Sequence, residues 1–387
     1  MTTAEELLQR GISRHREGRL DEAVSLYRRA LRLAPHHPDA ENLLGVAARQ
    51  KGDLPSALAH AARAVASVPD SPLFLANQGA TLAEAGRLAE AIAALSRAVT
   101  LNPQDAISLR NLGQALTAAG QPEAALAPLD AATRLHPDAP EPWLALAHAA
   151  REANKPDLAR AAALRVRGRL AEQAGFLLAA LGAAPIPDRA PAAYVRDLFD
   201  AFAPRFDAEL EGALAYRTPA LLAALITDLP PGRTLDLGCG TGLSGLALKP
   251  HATRLEGLDL SPRMLAEARA RNLYAALHEA DLLDFLPKHP ARYDLIAAAD
   301  VLNYLGDLTP AFTAIATALK PGGTALFSLE TGTEPVALGE GMRFRHNPDH
   351  ALTLAAQAGL TLVRREDAVL RQEKGQPVNG ILIRAHR

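Results

Sequence analysis

The second half of the chain holds three acids and three glycines, spaced so that they can grip a ligand from three strand ends. Thr234-Leu-Asp-Leu-Gly-Cys-Gly-Thr-Gly242 carries β-prone residues into Asp236. Gly238, Gly240 and Gly242 follow at every second position. Such a loop brings backbone close to a ligand, because no Cβ intervenes and φ is free to turn positive. Asp259 stands 19 residues after Gly240, at the end of a second β-prone run. Asp281 closes a third run in His278-Glu-Ala-Asp-Leu-Leu. A carboxylate at such a position can accept two hydroxyl groups or an exocyclic amine.

Gly240-Thr-Gly-Leu-Ser-Gly245 also satisfies G-x-G-x-x-G, the pattern of nicotinamide and flavin enzymes, with Asp259 in reach of a ribose. Four features push the other way. Asp236 ahead of the loop would repel a pyrophosphate and attract an ammonium group. Asp259 runs into Ser-Pro-Arg-Met-Leu. Asp281 has the Leu282 backbone N–H beside it. Leu319-Lys-Pro-Gly-Gly-Thr leads into a further strand.

These residues need a sheet to hold them. After Tyr194, helical signals alternate with short β-rich runs, which argues for a parallel α/β sheet. The pattern predicts strands over 234–237, 254–259, 276–280, 294–299, 324–330, 360–366 and 379–384, the last two as a hairpin-like edge. It predicts helices over 195–206, 218–228, 243–248, 310–319 and 349–358. A further helix starts at Ser261-Pro262, with Ser as N-cap and Pro at N1, and runs to about 271.

The first half repeats with a period of 34. One row of small residues runs Gly11, Gly45, Gly79, Gly113, Ala147; another runs Ala23, Ala57, Ala91, Ala125, Ala159; a third runs Ala30, Ala64, Ala98, Ala132 and then Val166. A proline row, Pro35, Pro69, Pro103, Pro137, fails at Ala171. Small residues suit a helix crossing, and the proline ends the second helix of each unit. This spacing resembles the tetratricopeptide repeat over about 4–170, with Trp143, Leu146 and Ala147 where that family carries Trp, Leu and Gly. The resemblance implies an all-α superhelix with a concave face lined by the first helices. Asn77 and Asn111 share one repeat position, with Asn42 one place out of register. They resemble a partial asparagine ladder of the kind that holds an extended peptide backbone, so the concave face is expected to take a protein or peptide partner. The alternative is that these amides are solvated or bond within their helices.

The acids, the glycine loop and the 319–324 turn together resemble the class I S-adenosylmethionine-dependent methyltransferases, over about 194–387. The expected architecture is multidomain: repeats over 1–181, a Pro/Ala linker over 182–193, and a Rossmann-like seven-stranded domain over 194–387. Phe199-Asp-Ala-Phe-Ala-Pro-Arg-Phe-Asp207 resembles the lead segment that covers the cofactor like a lid in small-molecule members. Tyr216-Arg-Thr-Pro219 and the stretch 371–380 look like those of bacterial methyltransferases that carry such repeats.

The resemblance implies S-adenosylmethionine as cofactor and roles for particular residues. Gly238, Gly240 and Gly242 would touch its methionine and ribose, Asp236 its ammonium group, and Asp259 its ribose diol. Asp281 and Leu282 would frame the adenine, and Asp300, Tyr194, Phe202 and Arg217 complete the cofactor set. Each acid has a plainer alternative: Asp236 as a cap of the loop, Asp259 and Asp281 as favourable charges at helix starts. Asn303 and Tyr304, after strand four, would face the sulfonium or the acceptor, and Tyr304 equally suits packing. His346 is the base candidate if the acceptor must lose a proton, its alternative being an exposed loop histidine.

Composition narrows the rest. The 387 residues suit two or three domains, and a net charge of −2 gives no general grip on nucleic acid. Cys239 is the single cysteine, which fits a reducing, cytoplasmic setting. Neither a signal peptide nor a membrane span is visible, metal-ligand spacing is absent, and an oligomer is left open.

Overall fold

The computed structural model describes residues 2–212, 216–339, 341–373 and 375–387, and divides into one unit up to Ala174 and another from Gly175. That division precedes the 182–193 stretch, which packs within the second unit.

In the first unit, helices pair in sequence. Ala4–Arg16 lies against Leu20–Leu33, Pro38–Gln50 against Leu54–Ser67, and Pro72–Glu84 against Leu88–Leu101. Ala106–Ala118 lies against Pro122–Leu135, and Pro140–Glu152 against Pro156–Ala163. The small-residue row sits at these crossings. An added Cβ would clash with Tyr27 Cε1 at Gly11 and with Leu129 Cγ at Gly113. At Gly79 it would lie 2.5 Å from Leu95 Cγ. Gly45 differs: its nearest neighbour would be Ala57 O at 3.3 Å. We therefore expect Gly79→Ala to destabilise the repeats by about 1–3 kcal/mol, as overpacking does. Gly45→Ala should be near neutral, because better helix propensity, worth roughly 0.5–1 kcal/mol, offsets a tight fit. Denaturant unfolding followed by the fluorescence of Trp143, the one tryptophan, checks both.

A further row, absent from the sequence reading, joins the helices of each pair. Gly18, Gly52, Gly86 and Gly120 hold φ between 72° and 78°, and Asn154 takes their place with φ 55°. Their spacing is again 34. Glycine terminates the first helix here because the left-handed conformation excludes most side chains.

First helices contact one another along the array. Asn77 Nδ2 donates to Asn42 Oδ1 at 2.9 Å despite the one-residue offset in repeat position. Arg110 Nη2 donates to Asn111 Oδ1 at 3.4 Å. These amides thus hydrogen-bond within the chain.

The second unit is built on β1 (Gly232–Leu237), β2 (Ala252–Asp259), β3 (Ala276–Glu279), β4 (Tyr293–Ala298), β5 (Leu319–Glu330), β6 (Val336–Leu338), β7 (Phe344–His346), β8 (Thr361–Glu373) and β9 (Gln376–His386). Among the described residues, seven strands form one sheet in the order β3-β2-β1-β4-β5-β9-β8, and β6 pairs with β7 separately. β9 runs antiparallel to β5 and β8; the first five strands are parallel. Leu235, Leu237 and Ile296 pack one face with Phe312 and Ala351, while Leu255, Leu295 and Leu326 pack the other with Leu222 and Leu248. Burial on both faces explains why these strands read as short apolar runs. β5, β8 and β9 are longer than predicted from the alternation, and the β6–β7 pair was not predicted. Strand order reverses between β1 and β4, and their carboxyl ends open the crevice where α/β folds place ligands.

Candidate active site

The glycine loop leaves β1 at Gly238. Gly238, Gly240 and Gly242 have φ of 62°, 53° and 97°, and a Cβ at Gly238 would sit 2.6 Å from Val301. Two further bonds shape the turn: Cys239 N donates to Leu258 O at 3.0 Å and Gly242 N to Cys239 O at 2.9 Å. Cys239 is buried, which pushes its thiol well above the usual range.

Asp259, at the end of β2, ties this loop to the next helix. Its Oδ2 accepts Gly240 N at 2.9 Å and its Oδ1 accepts Ser261 N at 2.8 Å. Burial pushes its carboxyl up, against the pull of those N–H groups. Ser261 caps the helix Pro262–Ala270, as predicted, by accepting Met264 N. Asp281 likewise begins the short helix Leu282–Phe285, accepting Leu283 N at 2.9 Å. Its other oxygen accepts Arg189 Nη2.

A lid follows Pro191: helix Ala192–Phe202, one short turn, then Phe206–Glu211. Phe206 lies 5.3 Å from Phe202, and Phe199 lies 5.6 Å from Tyr304, ring to ring and edge-on. Two lid acids fasten it. Asp200 Oδ1 accepts Ser261 Oγ at 2.5 Å and Arg263 N at 3.2 Å. Asp207 accepts Thr241 Oγ1 at 2.6 Å and also pairs with Arg271. Acids at helical spacing read as solvent-facing residues in a sequence, so the pattern alone does not single these two out.

Asp300, after β4, has the left-handed φ of 56°. Ser328 Oγ donates to its Oδ1 at 2.6 Å and Thr218 Oγ1 to its Oδ2 at 3.1 Å. Beside it, Arg343 and Arg371 interlock with Glu330 and Glu373. Arg343 Nε donates to Glu330 Oε1 and Arg371 Nε to Glu373 Oε1, both at 2.7 Å; the second nitrogen of each guanidinium takes the other glutamate.

One pocket gathers these parts. Of the residues nominated from the sequence, Gly238, Gly240, Asp259, Asp281, Leu282, Asp300, Tyr304 and Phe202 line it. Phe206, from the expected lid segment, and Tyr216 also line it, as do Arg189, Arg343, Arg371 and Glu373, to which the sequence assigned no role.

Other expected residues stand off the wall. Asp236 is buried beneath the loop, where Ser244 Oγ and Tyr274 Oη both donate to its Oδ2 at 2.7 Å. Its Oδ1 is buried with no partner, and burial pushes this carboxyl up to about 7. Gly242 instead caps the helix Leu243–Leu248. Asn303 is fully buried and fixes backbone, accepting Glu330 N at 2.9 Å. His346 is no loop residue: it lies buried on β7 with Nε2 3.2 Å from Gly306 O, and burial lowers its pKa. Tyr194 packs on Phe176 at 5.3 Å between ring centres. Arg217 is exposed and precedes the helix Thr218–Ala224.

Comparison with known proteins separates the two cofactor readings. A methyltransferase-domain family model matches residues 234–323, and a tetratricopeptide-repeat model matches 8–72 and 76–140. The chain carries a class I methyltransferase domain fused to tetratricopeptide repeats. Such a domain uses S-adenosylmethionine.

The methyltransferase domain resembles trans-aconitate 2-methyltransferase of Methylobacterium nodulans, 37% identical over 145 residues, covering 37% of this chain and 55% of that one. The ubiquinone biosynthesis O-methyltransferase of Xanthomonas campestris pv. campestris is 30% identical over 104 residues, covering 26% and 44%. The chain thus spans about half the length of these curated relatives. Among solved structures, the N-methyltransferase NodS of Bradyrhizobium japonicum WM9, bound to S-adenosyl-l-homocysteine, aligns with TM-score 0.37 and 23% identity, covering 44% of this chain and 85% of that one. A thermophilic repeat protein of Thermus thermophilus aligns with TM-score 0.37 and 26% identity, covering 42% and 89%. No helix among the described residues is long and apolar enough to cross a membrane.

Proposed function

We propose that this chain transfers a methyl group from S-adenosylmethionine to a small organic acceptor. The observation that carries the reading is Asp259, which lines the pocket from the end of β2 while clamping the glycine loop through Gly240 N. Its remaining lone pairs suit a ribose diol. The residues fit the rest of the cofactor as well. The glycine turn leaves room where a side chain would intrude, Asp281 and Leu282 border one end, and the unpartnered Oδ1 of Asp236 is an acceptor short of a donor. A cationic ammonium group, directly or through water, would satisfy it.

When bound, the sulfonium supplies an activated methyl group. The protein's part is then to orient the acceptor and exclude water. The lid phenylalanines, held down by Asp200 and Asp207, cover the pocket, and Tyr216, Tyr304 and the arginine–glutamate ring bound the side that faces an acceptor. Burial raises the pKa of both tyrosines, so they serve as neutral hydrogen-bonding groups. His346 lies off the wall, on which Asp300 and Glu373 are among the carboxylates. The walled pocket and the two small-molecule relatives favour a small acceptor. The second reading, a protein or peptide acceptor held on the concave face through Asn77 and Asn111, is favoured by the fused repeat array. We place the chain in the cytoplasm, where the single buried Cys239 stays reduced.

Incubation with cofactor labelled in the methyl group and fractionated cell extract tests the function. Label in small molecules supports the first reading, label in protein the second, and no transfer to any fraction counts against methyl transfer.

Asp236 adds a pH dependence. Its folded pKa, raised from 3.8 to about 7, means that its contribution to stability is fully present below pH 3.8 and is lost as pH rises through 7. A cationic ligand prefers the ionised form. Affinity for S-adenosylhomocysteine should therefore rise about tenfold between pH 6 and pH 8. Titration calorimetry in buffers of different ionisation enthalpy should show proton release, and Asp236→Asn should abolish both effects.

A further inference from the structure

The segment just ahead of the lid enters the pocket in a way that the cofactor fingerprint does not contain. Asp188 O accepts Gly306 N at 2.7 Å and Asp307 N at 2.9 Å, and Ala190 N donates to Tyr304 O at 2.8 Å. Arg189 pairs with Leu305 across a β-bridge. The strap leaves no space at its partner: a Cβ on Gly306 would lie 2.8 Å from both Pro187 O and Phe344 Cε1. The chain from Pro187 to Ala190 is thus anchored on the loop after β4. From this anchored backbone the Arg189 side chain reaches the loop after β3, where its Nη2 donates to Asp281 Oδ2. Arg189 lines the pocket and is about one-third exposed, whereas Asp281 is largely buried.

Asp281 is therefore fixed from two sides. Leu283 N holds Oδ1 at 2.9 Å and the Arg189 guanidinium holds Oδ2. Each carboxylate oxygen can accept a second hydrogen bond. The lone pairs left over form an acceptor edge of fixed direction on the pocket wall, next to Leu282. An ionised carboxylate offers no donor. It rewards a ligand that presents an N–H there and rejects one that presents a carbonyl oxygen, because two acceptors would face each other in a partly desolvated site.

We propose that Arg189 is the positioning residue of Asp281: it fixes the carboxylate edge that the 6-amino group of the cofactor's adenine would meet, and so sets how sharply this pocket discriminates against a 6-oxopurine. The inference rests on the cofactor reading above. It gives the stretch 182–193 a part in the enzyme's own ligand site.

Calorimetric titration of the full-length chain with S-adenosylhomocysteine and with its deaminated analogue, S-inosylhomocysteine, tests it. Wild type should bind the amino form at least tenfold more tightly than the oxo form, the scale of one charge-assisted hydrogen bond. Arg189→Ala should lose roughly tenfold in affinity for the amino form and little for the oxo form, so that the preference collapses. Arg189→Lys, which keeps the charge but not the fork, should restore part of it. Asp281→Asn, which adds a donor, should flatten or invert the preference. A purely structural role for Arg189 would lower both affinities together. That outcome, or an unchanged preference in a folded Arg189→Ala protein, overturns the inference while leaving the cofactor reading intact. Wild type that binds neither ligand overturns the cofactor reading itself.

Discussion

Asp259→Ala is expected to lower affinity for S-adenosylhomocysteine by at least a hundredfold, and to do so in a protein that still folds. Two losses add. The first is contact with the ligand: hydrogen bonds to a charged group contribute roughly 1.5–3 kcal/mol each. The second is the shape of the loop. Gly240 N and Ser261 N donate to the two carboxylate oxygens at 2.9 and 2.8 Å. Without them the turn through Gly240, held at φ 53°, loses the group that fixes it. Asp259→Asn separates the two effects. An amide oxygen still accepts one N–H, but its NH2 group meets the other donor head-on, so loop and ligand suffer unequally. We expect Asn to retain more affinity than Ala, with thermal melting of both variants within a few degrees of wild type. Calorimetry and melting together check this. Equal, wild-type-like affinity in all three proteins would remove Asp259 from the ligand site.

Local chemistry decided what the sequence disclosed. The glycine turn was legible because only glycine tolerates both positive φ and a neighbour such as Val301 at 2.6 Å. Asp259 and Asp281 were legible because each ends a β-prone run, and both line the pocket. Ser261 was legible as a helix cap. The repeats were legible because Tyr27, Leu95 and Leu129 demand a small residue at their crossings. Asp236 was legible as the acid ahead of the loop, but its partners were not. Strand alternation turns it toward Ser244 and Tyr274, and Tyr274 arrives from the loop before β3, which no local pattern announces. His346 was named as a base candidate with an exposed loop histidine as its alternative, and its burial on a strand was not legible because three residues of β7 are too few to show a period. Arg189, Arg343 and Arg371 went unassigned for a common reason. Each gains its meaning from partners 92, 13 and 41 residues away in sequence, and one arginine in an arginine-rich chain carries no signal by itself. The antiparallel pair β8–β9 brings Arg371 under the pocket, and its length was underestimated because charged residues interrupt the apolar alternation.

Arg371→Ala is expected to destabilise the methyltransferase unit by about 3–5 kcal/mol, the range for breaking a buried ion pair from one side. Arg371 is 7% exposed and Glu330 2%. Its guanidinium serves Glu330 and Glu373, and a third nitrogen lies 3.6 Å from Asp300 Oδ2. Removing it leaves three carboxylates around one remaining inner guanidinium, Arg343, so at least one must take up a proton or draw in water. Truncation of Glu330 instead leaves two arginines facing Glu373 and Asp300, with one nitrogen of each guanidinium stripped of its partner. Removal of both, as Arg371→Met with Glu330→Gln, takes away one charge of each sign and keeps the Arg343–Glu373 pair. The double variant should therefore cost clearly less than the sum of the two single variants, a coupling typical of groups in one network. For a unit of this size the single Arg371 variant should melt on the order of 10 °C lower. Hydrogen exchange should accelerate most at the amides of β5, β8 and β9, which carry Glu330, Arg371 and their pairing strand. If the ring also positions Tyr304 and Asp300, the double variant will recover stability without recovering turnover, because those two will have lost the charges that hold them. If stability and turnover recover together, the ring is scaffolding alone and the acceptor is oriented by the aromatic lid.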